Sequence, residues 1–219
     1  YCGLMPRILR IINRFNIGGP TYNAAYLTKY LAPEYETLLI GGVEEESEES
    51  SEFILNALGV EYLKLENMKR SVNFSSDRKA YLQIRKIIRE FKPDIVHSHA
   101  SKAGALGRLA AFAEKVPVVV HTFHGHVFHS YFGKVKTGMY KSIEKHMAQR
   151  SDAIIAISKI QESELVNEHK VVPSDKAIVI PLGFELQRFT ENREEKRKSF
   201  RDEYKLKEDC VAIGIIGRL

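Results

Sequence analysis

The sequence predicts an α/β fold built on a doubly wound, mostly parallel sheet, and three observations carry that prediction. Short, nearly continuous apolar runs recur along the chain at 8–12, 36–40, 60–65, 94–97, 116–121, 153–157 and 177–180. Continuous rather than alternating runs mark strands covered on both faces, and parallel strands need crossover connections. Helical patterns fill the intervals between the runs, which supplies those crossovers. A glycine pair, Gly18-Gly19, follows the first run directly, where a strand turns into a helix.

Taken in order, strand 8–12 enters the turn Asn16-Ile17-Gly18-Gly19-Pro20-Thr21, followed by a helix over 21–31 and a strand over 36–40. Residues 44–52 hold six glutamates in nine positions, which repel one another and predict a solvated loop leading into a helix at 52–58. After the strand at 60–65, the segment 77–91 sets Ala80, Ile84, Ile87, Ile88 and Phe91 on one stripe, with Arg78, Lys79, Arg85, Lys86 and Arg89 elsewhere, and Pro93 ends it. Helices at 101–114, 136–150 and 158–168 follow the next three strands, with Ser101 and Ser158 expected as N-caps. A charged helix spans 190–204, and the apolar run 211–216 before Gly217-Arg218-Leu219 reads as a new strand and turn. The expected organisation is therefore one domain over 1–205 and, over 206–219, a linker and the first strand of a truncated second domain.

With 219 residues, 44% of them hydrophobic, the chain can bury one large core. No run approaches the ~20 apolar residues of a membrane span, and the start lacks the apolar stretch of a signal peptide, so a cytoplasmic location is expected. Cys2 and Cys210 alone give neither a disulfide scaffold nor a cysteine metal site. A net charge of +5 is modest for nucleic acid. It points to anionic small molecules or an anionic membrane surface instead.

Ligands of a doubly wound sheet bind outside the carboxyl ends of the strands, near the point where strand order reverses. With the order 3-2-1-4-5, loops 16–21, 99–102 and 122–129 open onto one crevice. The glycine turn is a phosphate-cradle candidate through Gly18, Gly19 and Thr21, because backbone without Cβ atoms at a helix start favours an anion. It lacks both the spaced glycines of dinucleotide sites and the Lys-Ser/Thr of a P-loop. His121, His124, His126 and His129 put half of the chain's eight histidines within nine residues. No acid or cysteine accompanies them, so neutral imidazoles are expected rather than a metal site. His124, at a strand end before Gly125, is the catalytic candidate. His99 and Lys102 are substrate-binding candidates from the neighbouring loop, whereas His97 reads as a satisfied histidine under a helix. In the basic segment 134–150, Lys134, Lys141 and Lys145 share a face, while Tyr140, Ile143 and Met147 share another. That pattern suits a helix resting on anionic lipid, or an ordinary helix with a solvated face.

Together these motifs resemble family 4 glycosyltransferases of the GT-B class. The collinear set is Asn16-Ile17-Gly18-Gly19-Pro20, Asp94-Ile95-Val96-His97-Ser98-His99, His121-Thr122-Phe123-His124-Gly125-His126, Ala156-Ile157-Ser158, Val179-Ile180-Pro181-Leu182-Gly183 with Arg188-Phe189, and Ile216-Gly217-Arg218-Leu219. The resemblance implies a Rossmann-like N-terminal domain and retaining transfer of a sugar from a nucleotide-sugar donor to a sugar or lipid-linked acceptor, with no required metal and no other cofactor. It implies that Gly18 and Gly19 face the donor diphosphate, that His124 touches the transferred sugar or the reaction centre, and that Arg218 helps neutralise the diphosphate. Two departures stand out: the family's pair of glutamates separated by seven residues, in its second domain, is expected beyond Leu219, Glu44 and Glu52 showing that spacing only because the acidic run is crowded, and Leu182 replaces a common Asn. The chain alone is accordingly expected to be silent as a catalyst. One rival is a non-catalytic acceptor- and membrane-binding subunit paired with a donor-binding polypeptide. Another is a sugar-nucleotide epimerase, disfavoured because acid/base carboxylates are absent from these loops.

Overall fold

Seven strands form one sheet in the order β3-β2-β1-β4-β5-β6-β7, and every neighbouring pair is parallel. They are β1 (Arg7–Arg14), β2 (Glu36–Gly42), β3 (Tyr62–Leu65), β4 (Ile95–His99), β5 (Val118–Thr122), β6 (Ala153–Ala156) and β7 (Ala177–Val179). This computed structural model of the chain describes residues 5–125 and 134–215.

Helices α1 (Gly19–Tyr30) and α2 (Glu52–Leu58) cover one face, burying Ala24, Ala25, Ile54 and Leu55 against Ile12, Phe15 and Leu39. On the other face, α3 (Phe74–Phe91) and α4 (Ser101–Ala113) lay Ala80, Ile84, Ile88, Ala103 and Ala110 over Leu9, Ile11, Ile40 and Val96. Helix α5 (Lys134–Arg150) and helix α6 (Lys159–Ser163), which runs on into a π-helical turn at Glu164–Glu168, continue that layer. Their core sets Ala148 and Leu165 against Phe123, Ile154 and Ala156. The strand order reverses between β1 and β4, so the ends of β1, β4 and β5 are neighbours at the carboxyl edge.

Each helix has a local cause. The α3 stripe is the one read from the sequence, but the helix starts three residues earlier than expected: Asn73 caps it by accepting from Ser76 N at 3.1 Å. Ser158 caps α6 as expected, accepting from Gln161 N at 3.2 Å. Ser101 does not cap α4. It is the first helical residue, and the chain turns at Ala100 with φ 62° and ψ 169° and no side-chain cap. The acidic loop leads into α2 as expected, with Glu46 and Glu49 exposed, but it is not solvated throughout. Glu48 is nearly buried in a two-pronged ion pair with Arg14 at 2.8 and 2.6 Å, and Glu44 pairs with Lys64 at 3.2 Å. Arg14 holds the Glu48 carboxyl below its usual range.

The chain divides into two compact units, Tyr1–Leu182 and Gly183–Leu219. In the second, α7 (Gln187–Thr190) precedes α8 (Arg193–Glu203), whose buried Arg201 donates to Cys210 O at 2.8 Å. The expected strand at 211–216 does not form over the described residues 211–215. Nothing pairs with it, and Val211, Ile213 and Ile215 stand 88, 89 and 96% exposed.

Ala100 sits in backbone space that only glycine occupies freely, at a cost of about 1–3 kcal/mol. Replacing it with glycine relieves that strain against an entropic loss of about 0.5–1 kcal/mol. Ala100→Gly is therefore expected to raise the thermal midpoint by roughly 2–4 °C for a chain of this size. A lowered midpoint would contradict the strain.

Candidate active site

At the end of β1 the chain leaves the sheet and Gly18 caps α1, with Pro20 in the first turn, where its missing N–H costs nothing. The Gly18 backbone is extended (φ 171°), and a Cβ there would meet only Pro20 Cδ at 3.7 Å. A Cβ on Gly19 would meet nothing within 4 Å. Neither conformation nor packing inside the chain demands these glycines. What their missing side chains provide is open backbone at a helix N-terminus, suited to an anion. The turn itself is braced: Thr21 Oγ1 donates to Asn16 O at 2.9 Å, Ile17 N to Glu49 O at 3.1 Å, and Ser51 N to Phe15 O at 2.8 Å. Thr21 is buried, and its hydroxyl holds the turn rather than facing outward.

Strands β4 and β5 bring four histidines together at the same edge. The register pairs Arg10 with His97 and His99 with Thr122, so these side chains share the α1 face, while Ser98 and His121 point toward α4. His97 Nδ1 lies 2.8 Å from Arg10 Nη1 and its Nε2 lies 2.8 Å from Thr122 Oγ1, which makes it the satisfied histidine expected. The His97 and His99 rings are 4.2 Å apart. His99 Nδ1 meets His124 Nε2 at 2.8 Å, with the rings stacked at 5.1 Å. His121 bonds Ser98 Oγ at 3.0 Å and lies so close under α4 that a Cβ on Gly104 would stand 2.4 Å from its Cε1. Glycine at 104 is what lets the helix lie on the imidazole. Gly125 has φ 148° and accepts from Gln161 Nε2 at 3.0 Å through its carbonyl.

Burial sets the charge of this cluster. His97, His99 and His121 are held well below the usual histidine range, first by desolvation and then by neighbouring Arg10, Arg108 and one another. His124 is lowered to about 4, by desolvation. Arg10 is fully buried and lowered to about 9 for the same reason. Among the described residues its Nε and Nη2 have no hydrogen-bond partner, nor do His99 Nε2, His121 Nε2 and His124 Nδ1. Among the described residues no group of three histidine, cysteine or carboxylate side chains is arranged to hold a metal ion.

Several candidates take other places. Lys102 does not reach into the crevice: its ammonium donates to Lys69 O at 2.7 Å and Ser71 O at 2.6 Å and pairs with Asp77 at 2.5 Å. On α5, Glu144 is buried against Arg108 in a double contact at 2.7 and 2.7 Å, and Met147 is buried, whereas Met139, Tyr140 and Ile143 are exposed. The apolar face expected from Tyr140, Ile143 and Met147 is thus split, because the Arg108–Glu144 pair rotates the helix about its buried acid. Lys141 Nζ lies 3.2 Å from His169 Nδ1. His126, His129, Arg218 and the side chain of Lys134 lie outside the described residues. Arg10 and Arg108 were not singled out from sequence, although a charge inside an apolar strand run was the available signal for Arg10.

Together the sheet and its edge define the Rossmann-like N-terminal domain of GT-B glycosyltransferases. Residues 17–188 match the profile of Glycosyltransferase Family 4, and the chain belongs to that family. It is 37% identical over 120 residues (55% of this chain, 31% of the relative) to an Escherichia coli UDP-Gal:alpha-D-GlcNAc-diphosphoundecaprenol alpha-1,3-galactosyltransferase. It is 31% identical over 157 residues (69% of this chain, 40% of the relative) to the Staphylococcus aureus capsular polysaccharide biosynthesis glycosyltransferase CapM. The chain therefore spans well under half the length of these relatives. Among solved structures, a glycosyltransferase from Rickettsia africae shares the fold with a TM-score of 0.68 at 18% identity, over 93% of this chain and 50% of that one. No helix among the described residues is long and apolar enough to cross a membrane.

Because the four lowered histidines stay neutral when folded but take protons near pH 6.5 when unfolded, their stabilising effect is complete above that pH and lost below it. Each can contribute a slope of up to about 1.4 kcal/mol per pH unit. Thermal midpoints should fall steeply from about pH 6.5 to about pH 5. A flat profile would contradict the burial of these rings.

Proposed function

We propose that this chain is the acceptor-side half of a glycosyltransferase that moves a sugar, with retention, from a nucleotide-sugar donor to a lipid-linked acceptor of cell-envelope polysaccharide synthesis, without a required metal. The observation that carries the reading is the shared edge of β1, β4 and β5. There the open Gly18-Gly19 backbone after β1 and His124 after β5 stand on the two sides of the β4 end. The first accepts an anionic diphosphate, and the second meets a sugar oxygen. Arg218, which the family resemblance implies as a diphosphate neutraliser, lies outside the described residues. The relatives' names supply the substrate class: one acts on a diphosphoundecaprenol-linked sugar and another belongs to capsule synthesis. Beside β2 and β3, a groove of about 520 Å³ lined by Val43, Glu45, Glu46, Ser47, Lys69 and Ser71 offers carboxylates to acceptor hydroxyls.

His124→Ala, in protein expressed from the full reading frame, is expected to lower sugar-transfer turnover by roughly ten- to a thousandfold with an unchanged melting profile. Wild-type turnover in that variant would remove His124 from the site.

Exposed Met139, Tyr140 and Ile143 on α5, beside Lys141, Lys145 and the helix-initial Lys134, support peripheral attachment to an anionic membrane. Each lysine near such a surface contributes about 1 kcal/mol, weakened by salt, while inserted apolar groups give a part that salt does not weaken. Co-sedimentation with anionic vesicles should fall in the triple Lys→Glu variant at positions 134, 141 and 145. Equal sedimentation of the two proteins would assign α5 to an ordinary solvated face.

A further inference from the structure

We infer that His99 is a positioning residue that fixes His124 as the tautomer carrying its proton on Nδ1, so that the His124 ring has a donor on that nitrogen and no free lone pair with which to act as a base. The meaning for sugar transfer rests on the function proposed above; the assignment of protons does not.

The chain of hydrogen bonds begins at Arg10. A guanidinium has no acceptor, so the 2.8 Å contact between Arg10 Nη1 and His97 Nδ1 makes that nitrogen the acceptor and puts the His97 proton on Nε2, where it donates to Thr122 Oγ1. A second proton on His97 would set an imidazolium against the guanidinium. His97 is therefore locked neutral, its ring tilted against that of His99 with centroids 4.2 Å apart. Between His99 Nδ1 and His124 Nε2, 2.8 Å apart, one proton must lie. Either placement leaves one N–H without a partner, at His99 Nε2 or at His124 Nδ1. Location decides between them. His99 is fully buried, in the field of the Arg10 cation, where a lone pair is favoured over another donor. His124, at the strand end, is less deeply buried, and its lowering comes from desolvation alone, without the Arg10 field. His99 thus donates through Nδ1, and His124 keeps its proton on its own Nδ1, an enclosed nitrogen. The charged and titratable groups around the pair, among the described residues, are Arg10 on β1, His97 on β4 and His121 on β5, all neutral or cationic. No carboxylate among them draws a second proton onto His124.

Long-range nitrogen–proton NMR spectra of the histidine-labelled chain test this directly, with the His124 signals identified by their loss in His124→Ala. The expected result is a protonated Nδ1 and an unprotonated Nε2 on His124, unchanged between about pH 6 and about pH 8. His99→Asn, whose side-chain amide can donate from near the Nδ1 position, should preserve that signature. His99→Leu should lose it, giving a tautomer mixture with melting still cooperative. A proton on Nε2 in the wild type, or the same His124 tautomer in the Leu and Asn variants, would overturn the assignment. Since the spectra do not depend on sugar transfer, an inactive enzyme with the expected spectra would count against the proposed function and leave the positioning role standing.

Discussion

A guanidinium held inside a sheet with an imidazole as its acceptor constrains everything around it. Burying a cation without a carboxylate is costly, and the usual remedy is visible elsewhere in this chain, where Arg108 and Glu144 neutralise each other through two short contacts. Arg10 has no such partner. It faces His97 across the β1–β4 register, and its charge can be tolerated only if its neighbours stay uncharged. The neutral state of the histidines at the carboxyl edge follows from that one placement, and with it the direction of the hydrogen bonds leading to the crevice.

The fold was legible because its signal is redundant. Seven apolar runs, each too continuous for a one-sided strand, required crossovers, and the helical stripes between them supplied them; the α3 stripe of Ala80, Ile84 and Ile88 packs as its spacing implies. What was not legible depends on single backbone choices or long-range pairings. A serine beside a strand end looks like a cap, but β4 runs straight into α4 through a strained Ala100. Six glutamates look like a solvated run until Arg14 and Lys64 arrive from distant strands to pair with Glu44, Glu48 and Glu52.

The candidate site was legible in part for the same reason. Histidines two apart on one strand must share a face, and a histidine beyond the next strand end must lie at the same edge, so His99 and His124 were selected by position. Position does not say what a side chain is already committed to. Thr21 and Lys102 were selected on equal grounds, yet their donors serve the protein's own carbonyls. The glycines differ again: Gly104 is required by contact with His121, whereas Gly18 and Gly19 are required by nothing inside the chain.

The tie made by Lys102 determines the mechanics of one wall of the edge. A single ammonium joins the first turn of α4 to two carbonyls of the loop at 69–71 and to Asp77 in the first turn of α3. That loop lines the groove beside β2 and β3. Three segments distant in sequence are thereby knotted at one side chain, so that the wall at 69–71 is anchored to the starts of α3 and α4, while the facing wall at 43–47 receives nothing from this knot.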